Sequence, residues 1–216
     1  MGSSKSLHNK KILITCGPTW IPIDGIRVLS NISTGTLGHW IAQECLRAQA
    51  KITLLEGPVL KSFSSKNTTL LKFFYYNDLF KLIKKELKRK YDIVIHAAAV
   101  SDYQLPKAFQ GKISSNKKQL NLKFVPTPKI IRLIKKINPK VFLVGFKLES
   151  KLSRNIALRK SKELFHSAKC DLVVVNCSKN RSYKGYIVDK NKNILSHVKT
   201  RKRMAQGLIA GIRKLL

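Results

Sequence analysis

Residues 11–19 read Lys-Ile-Leu-Ile-Thr-Cys-Gly-Pro-Thr. An apolar, partly β-branched run that stops at once on Gly17-Pro18 predicts a strand over 11–16 ending in a tight loop. A loop then runs to Ser33. Between Thr34 and Arg47 the apolar positions Leu37, Trp40, Ile41, Cys45 and Leu46 recur at helical spacing, with Ser33 or Thr34 as the N-cap. Strands over 52–55, 70–75 and 91–96 follow, and Leu79, Leu82, Ile83 and Leu87 form a helix between the last two. This alternation predicts an α/β fold: a doubly wound, mainly parallel Rossmann-like sheet with helices on both faces, its ligands at the carboxyl ends of the strands. Further along, the pattern predicts a strand over 120–124, a helix over 128–137 opened by Pro128, and a strand over 141–146. A helix over 154–168, a strand over 171–175, an appended hairpin over 183–198 and a C-terminal helix complete it. Residues 1–10 read as a disordered tail and 11–216 as a single domain.

Composition narrows the class. In 216 residues, 43 Lys+Arg stand against 11 Asp+Glu, a formal charge of +32. A hydrophobic fraction of 44% with 25% charged residues is globular, which excludes a disordered or collagenous chain. No apolar run nears the length of a membrane span and no secretory h-region opens the chain, so no membrane association and a cytoplasmic location are expected. Met1-Gly2-Ser3-Ser4-Lys5-Ser6 formally fits a myristoylation pattern, but a frayed terminus is the simpler reading. Cys16, Cys45, Cys170 and Cys177 form no C-x-x-C pair and read as buried reduced thiols, so neither a disulfide nor zinc is expected. The basic excess raises a nucleic-acid-binding module as the rival reading. With 33 Lys to 10 Arg spread along the chain, however, the charge lacks the Arg forks of a reader, and no specific nucleic-acid partner is expected.

Three segments carry candidate chemistry. The first runs from Arg27 through Asn31 to Ser33-Thr34-Gly35 and Gly38, placing hydroxyls and glycine at the opening of a helix. Unpaired N–H groups and about half a positive charge at such an end attract phosphate, and Gly35 permits close approach. Arg27 adds a cation for phosphate or carboxylate, and Asn31 an uncharged donor for a carbonyl. The second, Ala97-Ala98-Ala99-Val100-Ser101-Asp102, leaves the fourth strand with room for a flat base, and Asp102 can hold a ribose hydroxyl or a metal-bound water. The third is Gly111-Lys112-Ile113-Ser114-Ser115, in a loop long enough to close over a ligand, with Lys112 as the candidate cation.

Other patterns lack the right context. Tyr103 and Lys107 have the spacing of a short-chain dehydrogenase pair, but Pro106 breaks the helix they would share. The glycines at 35 and 38 also come too far after the first strand for a dinucleotide fingerprint, which makes an NAD(P)-dependent oxidoreductase the weaker alternative. His39, His96, His166 and His197 have no nucleophile elbow beside them and read as structural.

Taken in order, the motifs resemble the phosphopantothenate-cysteine ligase (phosphopantothenoylcysteine synthetase) family in its stand-alone form. The resemblance rests on Ile12-Leu13-Ile14-Thr15-Cys16-Gly17-Pro18-Thr19 with Pro22 and Asp24, Arg27-Val28-Leu29-Ser30-Asn31, Ser33-Thr34-Gly35 and Glu56-Gly57-Pro58-Val59. It continues through Ala98-Ala99-Val100-Ser101-Asp102-Tyr103, Lys112-Ile113, Thr127-Pro128-Lys129-Ile130, Gly145-Phe146-Lys147-Leu148-Glu149 and Asp171-Leu172-Val173-Val174-Val175-Asn176. It implies a ligase of coenzyme A synthesis that activates 4'-phosphopantothenate as an acyl-nucleotidylate with CTP or ATP, releases pyrophosphate, and joins L-cysteine through an amide. By the same resemblance Asn31, Lys112 and Arg27 are catalytic. Gly17, Ser33, Thr34, Gly35, Ala98, Ala99, Asp102, Lys112 and Phe146 bind nucleotide, and Asn31, Arg27 and one of Lys147, Lys160 and Lys162 bind substrate. Mg2+ accompanies the triphosphate, with Asp102 reaching it through water; no flavin is expected. The family also implies a homodimer, for which the 183–198 hairpin offers edges that need covering. No decarboxylase domain precedes these residues, so a decarboxylase on a separate chain is expected. Trp20-Ile21 replaces an Arg-Glu common after Gly-Pro-Thr, and Ser114-Ser115 stands where many bacterial members have two lysines. These departures leave the choice of CTP or ATP open.

Overall fold

A computed structural model describes residues 6–116, 118–179 and 182–216. Six parallel strands form the centre: β1 (Lys11–Cys16), β4 (Lys51–Glu56), β5 (Thr68–Lys72), β6 (Ile93–His96), β9 (Phe142–Leu148) and β10 (Leu172–Lys179). Two antiparallel strands, β11 (Ser182–Asp189) and β12 (Ile194–Val198), extend the sheet on one side. The spatial order is β12-β11-β10-β9-β6-β1-β4-β5. From β1 the chain goes first to one side and later to the other, so the switch point lies between the carboxyl ends of β1 and β6, where open sheets of this kind bind ligands.

Alternation along β1 explains the layers. Ile12, Ile14 and Cys16 face helices α1 (Thr36–Arg47) and α5 (Arg201–Leu215) in one core. Leu13 faces the other core, under α2 (Tyr76–Glu86), α3 (Ile130–Ile137) and α4 (Arg154–Ala168). On β10, Leu172 and Val174 join the first core and Val173 and Val175 the second. Both faces of a central parallel strand must be apolar, which is why these runs show no polar alternation.

The structure departs from the sequence reading in several places. The expected loop over 17–33 contains two short antiparallel strands, β2 (Trp20–Pro22) and β3 (Val28–Ser30). Residues 120–124 form no strand: the pairing goes instead to β7 (Tyr103–Gln104) and β8 (Val125–Pro126), and Leu120 is exposed with no sheet to join. Helix α3 is capped by Lys129, which leaves Pro128 just outside it. The hairpin over 183–198 is part of the main sheet, because β10 runs on to Lys179 and pairs with β11 over its whole length. Residues 6–10 do not form a loose tail: Leu7 is fully buried in the first core and Lys10 pairs with Asp92 at 2.9 Å. The formal myristoylation pattern and the rest of the tail lie outside the described residues. No helix among the described residues is long and apolar enough to cross a membrane.

Candidate functional site

The chain leaves β1 through Gly17, whose φ of 79° is the left-handed conformation that favours glycine. It leaves β6 through Ala97 to Ala99. The two exits are tied together: Ala99 N–H donates to Gly17 O at 2.8 Å, Thr19 N–H donates to Ala99 O at 3.3 Å, and Pro18 bridges Ala99 as a further parallel pair. The Thr15 hydroxyl sits beneath this junction. It accepts from Ala98 N–H at 3.1 Å and shares a hydrogen bond of 3.0 Å with His96 Nδ1. His96 is neutral in this chain of bonds, and complete burial brings its pKa down to about 4.

The sign of the resulting pH dependence follows. Between about pH 4 and 6.5 the unfolded chain binds a proton at His96 that the folded chain refuses, so stability rises with pH across that window. We expect the His96 contribution to be about 2 kcal/mol larger at pH 7 than at pH 5. Urea unfolding of wild type and His96→Gln at both pH values measures it; equal pH slopes in the two proteins would contradict it.

Helix α1 starts against the same junction. Its N-cap is Gly35, with φ at 70° and no side-chain cap, where the sequence suggested Ser33 or Thr34. A Cβ at Gly35 would come within 2.8 Å of Val59 Cγ1 and 3.7 Å of Gly17 N, so the chain must enter the helix through glycine pressed against the β1 exit. Ser33 N–H instead donates to Asn31 O at 2.9 Å, and Thr34 shares a hydroxyl contact of 2.7 Å with Thr36. The first amides of α1 are thus left without a side-chain partner. Asn31 completes the group: its exposed side chain donates from Nδ2 to Ala99 O at 3.1 Å, which orients the amide and leaves the second N–H free.

Asn31, Ala98, Ala99, Gly17 and Gly35 therefore converge at the switch point. Other candidates lie differently. Arg27 is turned back onto Asp24, at 3.1 Å, and onto Ile113 O at 3.3 Å. Lys112 is exposed, with no hydrogen bond or ion pair among the described residues, on a loop whose neighbours are fixed to the β2–β3 turn. Gly25 N–H donates to Gly111 O at 2.9 Å, and Ile113 N–H to Asp24 Oδ2 at 3.0 Å. Asp102 is exposed and paired with Lys129. Phe146 is half-buried on the face of the first core. Lys147 and Lys160 are tied to Glu163, at 3.5 and 3.2 Å, and Lys160 also to Glu149, while Lys162 is exposed with no such partner among the described residues.

Two residues that the sequence offered only within the resemblance, with no role assigned, brace the site. Asp24 is buried and accepts from the backbone of Ile113, Ile26 and Arg27; these bonds, with the Arg27 charge, bring its carboxyl down to about 2. The Asp24-Gly25 pair was a readable turn signal. Glu56 is fully buried where β4 ends, and its charge is met by Lys72, Ser62, Phe63 N–H and His39 Nε2, the last at 2.6 Å. Burial works against these donors, which still hold its carboxyl below the usual range. His39 is thus structural, as its lack of an elbow suggested. Cys16, His39 and Glu56 bring ligand-type atoms within 4.8 Å of one another. They make a poor metal site, because both Glu56 oxygens already take donors and burial pushes the Cys16 thiol up, keeping its proton.

The sequence profile of the DNA/pantothenate metabolism flavoprotein C-terminal domain matches residues 7–213. Over 176 residues the chain is 39% identical to a "Coenzyme A biosynthesis bifunctional protein CoaBC" of Thermococcus kodakarensis, covering 81% of this chain and 43% of that protein. A protein of the same name from Borreliella burgdorferi is 34% identical over 190 residues, 85% of this chain and 47% of the relative. The chain thus spans less than half the length of these relatives. Among solved structures, the DNA/pantothenate metabolism flavoprotein of Streptococcus pneumoniae superposes with a TM-score of 0.84 at 28% identity, covering 95% of this chain and 99% of that one.

Proposed function

Because the chain belongs to the DNA/pantothenate metabolism flavoprotein C-terminal domain family, we propose that it is a phosphopantothenate-cysteine ligase of coenzyme A synthesis, with one nucleotide-binding domain. The observation that carries this reading is the Asn31 amide on Ala99 O, beside the open start of α1. In the first step a carboxylate oxygen of 4'-phosphopantothenate attacks the α-phosphorus of CTP or ATP and pyrophosphate leaves. In the second the amine of L-cysteine attacks the acyl carbonyl, an amide forms, and the nucleoside monophosphate leaves with the acyl oxygen.

Both steps place negative charge on oxygens, so fixed donors supply the catalysis. The free N–H of Asn31 meets the acyl oxygen, and the α1 amides with Ser33, Thr34, Gly35 and Gly17 receive the phosphates. Ala98, Ala99 and Phe146 flank the base, and Asp102 the ribose. Lys112 swings from its exposed position onto the triphosphate. Magnesium fits as the triphosphate's own counter-ion: Asp102 is a single exposed carboxylate already paired with Lys129, and it would meet the ion through water. When bound, that ion neutralises phosphate charge.

The test is pyrophosphate release with CTP and with ATP, each with and without 4'-phosphopantothenate and cysteine. Release that requires the pantothenate substrate is expected with at least one nucleotide and persists between roughly 50 and 200 mM salt, where nonspecific polyanion binding collapses. Release with neither nucleotide would overturn the reading. The amide product keeps the cysteine carboxylate, the group a decarboxylase would remove.

A homodimer belongs to the same proposal, through the β2–β3 hairpin rather than the 183–198 hairpin first considered. Ile32 and Ile26 are fully and 69% exposed there, next to exposed Val28 and Leu29, an apolar surface of the kind a second copy covers. Such a contact would also carry the Arg27 turn toward a neighbouring site. Leu29→Glu with Ile32→Glu is expected to shift the sedimentation coefficient from dimer to monomer; an unchanged dimer would place the interface elsewhere.

A further inference from the structure

A basic cavity lies on the α1–α5 side of the sheet. It has a volume of about 600 Å3 and opens between the first turn of α1, the start of β11 and the start of α5. Because β11 runs antiparallel from the end of β10, its start lies at the carboxyl edge of the parallel strands, the edge that carries the switch point.

Three cations, Lys199, Arg201 and Lys202, bring their charge to this cavity, and no acidic residue lines it. Lys184 also borders it, but its side chain lies on the opposite face of the sheet, where Nζ donates to Leu152 O at 3.0 Å. Each of the two cations that is held in place is held by a neutral group. Arg201 donates to the Ser178 hydroxyl at 2.8 Å and lies over the Tyr183 ring, and Lys202 lies over Trp40. Lys199, the third, is exposed and makes no ion pair among the described residues. Elsewhere several lysines are met by acids: Lys72, Lys129, Lys135, Lys147 and Lys160 all have carboxylate partners. Here the charge converges without a counter-charge. Aromatic faces and a serine hydroxyl fix the direction of the cations while leaving their charge available. The α5 start adds its unpaired amides, with Thr200 as the cap.

We propose that this cavity binds a phosphate monoester, as a site separate from the one that holds the nucleotide. The cavity is open and roomy enough for more than the anion, and a tetrahedral dianion can meet a guanidinium fork and two ammonium groups there. Two sources share this chemistry: the phosphate end of the acyl substrate and free phosphate.

The test is calorimetric titration of the full chain with inorganic phosphate and with 4'-phosphopantothenate at roughly 150 mM chloride, which screens long-range attraction. Lys202→Ala with Arg201→Ala is expected to raise the phosphate Kd about tenfold or more. Lys199→Glu, at an exposed position that does not endanger folding, is compared with Lys88→Glu, an identical charge change on the opposite face of the sheet. A rise with Lys199→Glu and none with Lys88→Glu supports the site. Loss of 4'-phosphopantothenate affinity alongside that of phosphate identifies the substrate's phosphate end as the occupant, whereas loss for phosphate alone identifies free phosphate. Equal effects of Lys199→Glu and Lys88→Glu, or unchanged affinity for both probes in the double variant, overturn the proposal. Only the choice of 4'-phosphopantothenate as a probe rests on the ligase reading. If pyrophosphate release fails while phosphate binding survives, that reading falls and the cavity remains an anion site.

Discussion

Asn31→Asp is expected to lower ligase turnover by about two to three orders of magnitude while leaving the fold in place. The side chain is exposed and its one hydrogen bond runs to Ala99 O, so little packing is lost. The chemistry changes far more. Ala99 O accepts from the Asn31 amide and a carboxylate has no proton to offer it, so the substituted group is repelled from the position that Asn31 holds. The carboxylate also presents negative charge where the acyl oxygen and phosphates gather. Steady-state pyrophosphate release, with thermal melting as the folding control, reads both effects. A variant within threefold of wild type would remove Asn31 from the mechanism.

The second large effect belongs to Gly38. A Cβ there would overlap the Cβ of Cys16 and lie 3.3 Å from its sulfur. Cys16 closes β1 in the middle of the sheet and cannot yield, so helix α1 must lift off the strand. Gly38→Ala is expected to cost about 3 kcal/mol, roughly 6–12 °C in Tm for a domain of this size. The displaced α1 start should also weaken nucleotide binding. Because Gly38 has no positive φ, conformational strain contributes nothing to this cost and the effect is steric. A melting temperature equal to wild type would mean that α1 does not pack on β1 as described.

The parts of the fold that were legible in sequence are those whose determinants are local. Helix α4 runs over the expected residues because Ser153 accepts from Ile156 N–H at its start and Lys169 takes a left-handed φ of 55° at its end. The strands β1 and β6 announce themselves as apolar runs broken by small residues. The hairpin β2–β3 did not, since three-residue strands are too short to show a period of two. The run over 120–124 alternates like a strand but finds no partner, and pairing is a tertiary property. At the site, the helix start and the Ala98–Ala99 exit could be read from residue type, while their junction depended on main-chain bonds between Gly17 and Ala99. The partners of Lys147 and Lys160 were equally hidden, because Glu163 meets Lys147 only once α4 has packed across β9. Among 33 lysines, sequence alone could not sort paired from unpaired ammonium groups.

Three of the four thiols, Cys16, Cys45 and Cys170, are shut inside the two cores, and Cys177 alone is half-buried, at the far end of β10. The chain therefore carries a built-in clock for its own opening. Under native conditions an alkylating reagent should modify one sulfur promptly and the other three only as fast as the layers on either face of the sheet part. Cys16 and Cys45 report on the α1 side and Cys170 on the side of α3 and α4, so peptide-resolved labelling would tell which layer separates first.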